Sequence, residues 1–120
     1  MSGEYLAGDD PVQAALHRAR ALISAPGAWA KGAYARDAQG REAYPECSDA
    51  VAFSVVGAVA RVCAGNEWLL AETLLVLHHT LAPDGTGLGL QGWNDKLPSV
   101  AAVLALYDAA VAFSAAKGAA

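Results

Sequence analysis

Residues 48–65 read SDAVAFSVVGAVARVCAG, the longest apolar run in the chain that has both a helix-start and a helix-stop residue. Ser48 is a preferred N-cap, Asp49 suits the positive end of the helix dipole, and Gly65 can adopt the left-handed conformation that ends a helix. Apolar residues recur in this run at three- and four-residue spacing, which favours a helix over a strand. We therefore predict a central helix over 48–65 that neighbouring elements cover on most sides.

Gly57 and Ala58 remove side-chain bulk from the middle of this predicted helix. A glycine at such a position costs about 1 kcal/mol relative to alanine. Close packing of another segment against the helix would offset this cost, so we expect a second backbone to cross near Gly57.

Three further helices are predicted around the central one. Asp10 caps the first, which ends before Pro26, and Asn66 caps the helix that follows the central one. Pro98 opens the last helix. The stretch DGTGLGLQG at 84–92 is rich in glycine and predicts a flexible connector before it.

A β-hairpin is predicted over residues 27–45, where the hydrophobic period changes from about 3.6 to 2. The turn is expected at DAQG, residues 37–40. A lone two-stranded ribbon is marginal in water, so the hairpin should pack on the helices through Trp29 or Tyr34. Tyr34 and Tyr44 are placed to pair across the strands.

The predicted fold class is mainly α (α+β), a compact bundle of about four helices with one β-hairpin between the first and second helices. The 120 residues suit a single domain over 1–120 that buries its own core. We expect a loose N-terminus at 1–9 and a frayed tail at 116–120.

The amino-acid composition indicates which classes of partner the protein can bind. Hydrophobic residues make up 55% of the chain and charged residues only 17%, so some apolar area must be exposed. This favours a homodimer or another protein partner, although an alanine-rich composition would give the same numbers. The net charge is −4 without any cluster of Lys or Arg, which argues against nucleic-acid binding.

The two cysteines bear on the cellular compartment. A rigid helix would hold Cys47 and Cys63 more than about 20 Å apart, so no disulfide is expected between them. Reduced thiols, the lack of a leader and the lack of an apolar run of about 18 residues favour a cytoplasmic protein that does not enter a membrane.

Three motifs resemble a known family. They are PG-x-W-x-x-G-x-x-A-R-D-x-x-G-R at 26–41, DAVAFSVVGA at 49–58 and WND at 93–95. Their order is similar to that of a family of small bacterial and phage proteins, frequent in actinobacteria, that carries only a domain-of-unknown-function label. The resemblance extends over 12–115 and implies a compact helical domain with a hairpin. It implies no activity.

The WND triplet at 93–95 has two interpretations. Asn94 and Asp95 could satisfy turn amides and brace the start of the last helix. They could instead line an aromatic and polar pocket for a ligand or peptide, since aromatic and Arg residues near a flexible loop often anchor binding surfaces. The candidate binding residues are Trp29, Tyr34, Arg36, Asp37, Trp93, Asn94 and Asp95.

A hydrolase or transferase is the alternative function. Its nucleophile would be Cys47 or Ser54, its base His78 or His79, and its orienting group one of residues 94–95. Ser54 is expected two turns inside a buried helix, a poor place for a nucleophile. Cys47 is better placed, because a position just before a helix start lowers the pKa of a thiol.

Metal and cofactor sites are not predicted. His78 and His79 are adjacent and therefore point about 100° apart on a helix, so they cannot share one small ion. The glycine-rich stretch at 84–92 lacks the strand and the lysine of a phosphate-binding loop. We expect a non-catalytic accessory or protein-interaction module that forms oligomers and needs no cofactor.

Overall fold

The computed structural model describes residues 10–82 and 89–119, with side chains up to residue 116. These residues form a mainly helical fold with a small antiparallel sheet, which confirms the predicted fold class. The elements are α1 (Pro11–Ser24), β1 (Ala35–Arg36), β2 (Glu42–Ala43), β3 (Ala52–Phe53), α2 (Val55–Val62), α3 (Glu67–Leu81), α4 (Leu90–Asp95) and α5 (Ala101–Ala119).

Helices α1 and α3 begin at the predicted caps. Asp10 Oδ1 accepts hydrogen bonds from the backbone N–H groups of Val12 and Gln13, at 2.8 and 3.1 Å. Asn66 Oδ1 accepts one from Leu69 N at 3.0 Å. Each cap satisfies amides that have no partner within the helix, so these boundaries follow from local chemistry.

The central helix is shorter than predicted. Helix α2 begins at Val55, and its N-cap is Ser54 rather than Ser48. Ser54 Oγ accepts from Gly57 N at 3.0 Å. The prediction over 48–65 was therefore wrong for its first half, where Ala52 and Phe53 lie in a strand. As predicted, α2 is covered by its neighbours, with four of its residues buried: Val55, Gly57, Ala58 and Val59.

The sheet explains this difference. Its strand order is β2-β1-β3, and both pairs are antiparallel. Phe53 pairs with Ala35 of β1 and also forms a parallel bridge with Trp29. These pairings supply backbone hydrogen bonds and bury Phe53, so tertiary contacts outweigh the local helical pattern. The predicted hairpin between α1 and α2 is present as β1 and β2, but its strands are only two residues long.

Gly57 meets a second backbone, as its position in the sequence predicted. A Cβ added there would clash with the carbonyl group of Tyr34. The same carbonyl oxygen accepts a hydrogen bond from Ser54 N at 3.0 Å. The start of α2 therefore holds the chain just before β1 in place.

Helix α4 was not predicted. Residues 90–95 are helical, so part of the expected connector at 84–92 and the whole WND triplet belong to a helix. Leu90 and Asn94 are buried on one side of it, which anchors this short element. Residues 84–88 of the connector and the expected loose segment at 1–9 lie outside the described residues. Helix α5 extends to Ala119, so it includes most of the tail at 116–120 that was expected to fray.

Candidate functional site

Asn94 is the centre of a buried polar network. Its Oδ1 accepts hydrogen bonds from the indole nitrogen of Trp29 at 2.8 Å and from Val55 N at 3.0 Å. Its Nδ2 donates to Ala30 O and to Asp95 Oδ1, both at 3.0 Å. The side chain is 0% exposed, and its amide uses two acceptor and two donor positions. It therefore ties α4 to the start of α2 and to the segment before β1.

Two other residues on α4 extend this network. Asp95 Oδ1 also accepts from Gly32 N at 2.9 Å and from Gln91 Nε2 at 3.1 Å. Gln91 Oε1 accepts from the hydroxyl of Ser54 at 2.7 Å, and its Nε2 donates to Ala33 O at 3.3 Å. Sequence reasoning missed Gln91. The spacing of 91, 94 and 95 places the three side chains on one face of a helix, but only if a helix is recognised there.

Arg36 and Asp37 stabilise the hairpin by hydrogen bonds to its own backbone. The guanidinium of Arg36 donates to Lys31 O at 2.9 Å and to Gly40 O at 3.0 Å. Asp37 Oδ1 accepts from the backbone N–H groups of Gln39 and Arg41, both at 2.9 Å. The bond from the Arg41 backbone is the main reason that the pKa of Asp37 lies below its usual value.

A cleft of about 530 Å³ opens between the hairpin and α4. It is lined by Gly32, Ala33, Tyr34, Glu42, Ala43, Tyr44, Pro45, Gln91 and Asp95. Tyr34 and Tyr44 are 53% and 81% exposed, and the register of β1 and β2, extended by one residue, places them opposite each other. A second hollow of about 500 Å³ beside Cys63 has no aromatic lining residue.

A profile of a family of unknown function, DUF6197, matches residues 7–113. The chain belongs to this family. No curated protein and no solved structure matches the chain significantly. The match confirms the resemblance to a family with a domain-of-unknown-function label, and the matched part of this DUF6197 chain contains the whole cleft and the network around Asn94.

The predicted binding residues of this DUF6197 protein fall into two groups. Hydrogen bonds join Trp29, Asn94 and Asp95, and Asp95 also lines the cleft together with Tyr34. The remaining three, Arg36, Asp37 and Trp93, are not among the lining residues. Trp93 is partly buried against the core. The role of the whole set in ligand binding stays a prediction.

The residues proposed for catalysis are dispersed. Ser54 lies at the start of a helix rather than two turns inside it, but it is fully buried and donates its hydroxyl proton to Gln91. Cys47 is exposed in a turn before β3, so it does not stand just before a helix as predicted. His78 and His79 are in the last turn of α3, and neither forms a side-chain hydrogen bond with Ser54 or Cys47 within the described chain.

Both cysteines are free thiols. Cys63 is buried at the C-cap of α2, and burial raises the pKa of its thiol. The helix expected to separate it rigidly from Cys47 covers only Val55–Val62. Among the residues described, no group of three metal-binding side chains is clustered, and no helix is long and apolar enough to cross a membrane.

Proposed function

We propose that the protein is a non-catalytic module that binds a protein partner in the cleft between the hairpin and α4. The observation that carries this proposal is the pair of exposed tyrosines, Tyr34 and Tyr44, on the wall of a cleft of about 530 Å³. Tyrosine is common at the centre of protein interfaces because it combines a large apolar ring with a polar end.

The α4 residues that line the cleft support the same proposal because hydrogen bonds fix their side chains. Asp95 and Gln91 line the cleft and also hold the backbone at Gly32 and Ala33. A site whose side chains are already fixed loses less entropy when a partner binds. The buried network around Asn94 would thus serve binding by holding the cleft in shape.

The chemistry of Ser54 favours binding over hydrolysis. A serine nucleophile needs a base that takes its proton and a path for the substrate. The Ser54 hydroxyl instead donates to the amide oxygen of Gln91, which is not a base, and its residue is 0% exposed. The hydrolase or transferase remains the alternative and would require Cys47, whose side chain is exposed.

Self-association is part of the proposal. Trp68 and Leu75 are 63% and 51% exposed on α3, and their spacing of seven residues places them on one side of that helix. Large apolar side chains exposed together are typical of contact surfaces. We propose a homodimer through this face of α3, in a cytoplasmic accessory protein of bacterial or phage origin.

Selection from a random-peptide display library tests the binding function. Synthetic peptides from the selection should bind the wild-type protein and lose about ten-fold or more in affinity with Tyr44→Ala, a loss of about 1.4 kcal/mol. Phe113→Ala is the matched control, because Phe113 is an exposed aromatic residue on α5 that lines neither the cleft nor the proposed dimer face. Failure to recover any peptide whose binding depends on Tyr44 would overturn the proposal.

A further inference from the structure

The cleft carries negative charge without a cation in its wall. Glu42 and Asp95 line it, and the lining residues include neither Lys nor Arg. Within the described chain Glu42 forms no ion pair. The nearby arginines are engaged elsewhere: Arg36, which lies opposite Glu42 in the strand register, donates to two backbone carbonyls, and Arg41 forms an ion pair with Asp37 at 3.0 Å. Lys31 donates to Leu97 O at 2.6 Å, and Lys96 is not among the lining residues.

The carboxylate of Asp95 also has no cationic partner among the described residues. Its Oδ1 accepts three hydrogen bonds, from Gly32 N, Gln91 Nε2 and Asn94 Nδ2. All three donors are neutral amides, so they orient the carboxylate but do not cancel its charge. In the part of the chain that the structure describes, Oδ2 accepts no hydrogen bond, which leaves this oxygen for a donor from outside.

We infer that the cleft receives a cationic side chain, an arginine or a lysine, from the partner protein; this inference rests on the proposed function. Guanidinium and ammonium groups bind carboxylates by charge-assisted hydrogen bonds. They are also attracted to the faces of aromatic rings, and Tyr34 and Tyr44 supply two such rings beside Glu42 and Asp95. Arginine should bind more tightly than lysine, because its planar group both stacks on rings and forms two parallel bonds to a carboxylate.

The exposure of Tyr44 points to a protein as the source of this cation. Tyr44 remains 81% exposed although it lines the cleft, so most of its ring lies at the rim. A small amine within the cleft would leave that area in water. A cationic side chain on a larger surface would cover the ring at the same time.

A nuclear magnetic resonance titration with matched peptides tests the inference. The probes are acetylated and amidated pentapeptides Gly-Gly-X-Gly-Gly in which X is arginine, lysine or citrulline, the neutral counterpart of arginine. The arginine and lysine peptides should shift the amide signals of Gly32, Tyr34 and Tyr44, and the arginine peptide should bind about five-fold or more tightly than the citrulline peptide.

Charge-neutralising variants supply the second measurement. Glu42→Gln should weaken binding of the arginine peptide about three-fold or more without changing the fold, because Glu42 is exposed. Asp49→Asn is the matched control, since Asp49 is an exposed acid that lines neither hollow. Binding of the arginine peptide should also weaken as salt is raised.

Each contrary outcome has a distinct meaning. Equal binding of the arginine and citrulline peptides at the cleft would overturn the cationic ligand but leave the proposed binding function intact. No shift at the cleft with any peptide at about 5 mM would overturn the inference outright. If n-propylguanidinium bound as tightly as the arginine peptide, the ligand would be a small free cation rather than a partner's side chain. Lack of any Tyr44-dependent peptide from the display selection would overturn the proposed function itself.

Discussion

The indole nitrogen of Trp29 donates a hydrogen bond to Asn94 Oδ1 at 2.8 Å, although the two residues are 65 positions apart in the chain. The same oxygen accepts from Val55 N, so one buried amide joins the segment before β1, the first residue of α2 and helix α4. Two of these parts, the segment before β1 and helix α4, supply lining residues of the cleft. Its shape should therefore depend on Asn94.

Asn94→Ala should lower the free energy of unfolding by about 3 kcal/mol. The substitution leaves the indole N–H, Val55 N and Ala30 O without their partner, and each unsatisfied buried group costs about 1–3 kcal/mol. Urea denaturation measures the change. Asn66→Ala is the matched control, since it removes only a helix cap and should cost about 1 kcal/mol. An equal loss in the two variants would contradict a central role for Asn94.

Gly57→Ala should destabilise the protein by about 2–3 kcal/mol, because the new methyl group collides with the carbonyl of Tyr34 and must push the backbone apart. Gly89→Ala serves as control. Its added Cβ meets nothing within 4 Å, so its effect should be within about 1 kcal/mol of zero. Thermal unfolding of both variants, followed by circular dichroism, decides the point. A Gly57→Ala protein as stable as wild type would show that the two backbones are not in close contact.

Thiol labelling should separate the two cysteines. Cys47 is exposed and should react with Ellman's reagent in the native protein. Cys63 is 3% exposed and has a raised pKa, so it should react only after unfolding. Native wild-type protein should therefore release one equivalent of thionitrobenzoate, and native Cys47→Ser none. Fast reaction of a second thiol under native conditions would disprove the burial of Cys63.

Stability should fall in alkaline solution because of Tyr107. Its hydroxyl is buried, and burial raises its pKa well above the usual value. The folded state thus keeps the proton while the unfolded state begins to lose it near pH 10. The stabilisation is complete below that pH and declines as pH rises further.

Tyr107→Phe tests this assignment. It should cost about 1 kcal/mol at pH 7, because Tyr107 donates to Val55 O at 2.7 Å, and should show a shallower decline in unfolding free energy between about pH 9.5 and 11. Tyr44→Phe is the control, since Tyr44 is mostly exposed. If the unfolding free energies of wild type and Tyr107→Phe declined in parallel with rising pH, Tyr107 would not be the cause of the alkaline loss of stability.

Self-association through α3 predicts a concentration-dependent mass. Sedimentation equilibrium should detect a dimer of the wild-type protein, and Trp68→Glu should shift it towards monomer because a buried charge would face the partner's apolar surface. Phe113→Glu is the control, since Phe113 is an exposed apolar residue on α5. A wild-type protein that stays monomeric at all concentrations would end the homodimer proposal.

Local signals in the sequence predicted much of the fold. Asp10 and Asn66 cap the helices that they were expected to cap, and Gly57 marks a close backbone approach. These features depend on residues within a few positions of each other or on steric size alone. The strand at Ala52–Phe53 could not be predicted in this way, because its partners lie in the segment from Trp29 to Arg36.

The candidate site was predictable only in part. Asn94 and Asp95 were selected as polar residues beside an aromatic residue, and the structure brings Asn94 to Trp29. Gln91, Glu42 and Tyr44 were missed as lining residues, since nothing local distinguishes them from ordinary surface residues. Their position depends on the hairpin register and on α4. Helix α4 was not predicted because the glycine-rich stretch at its start is typical of a connector.

The sequence by itself determined the caps of α1 and α3, the apolar faces that drive the helices together and the low overall charge, because short-range hydrogen bonds and hydrophobic periodicity can be read along the chain. Only the tertiary structure decided where the valine-rich run changes from strand to helix and which residues line the cleft. Those outcomes depend on hydrogen bonds and packing between segments that lie far apart in sequence, such as Trp29 with Asn94.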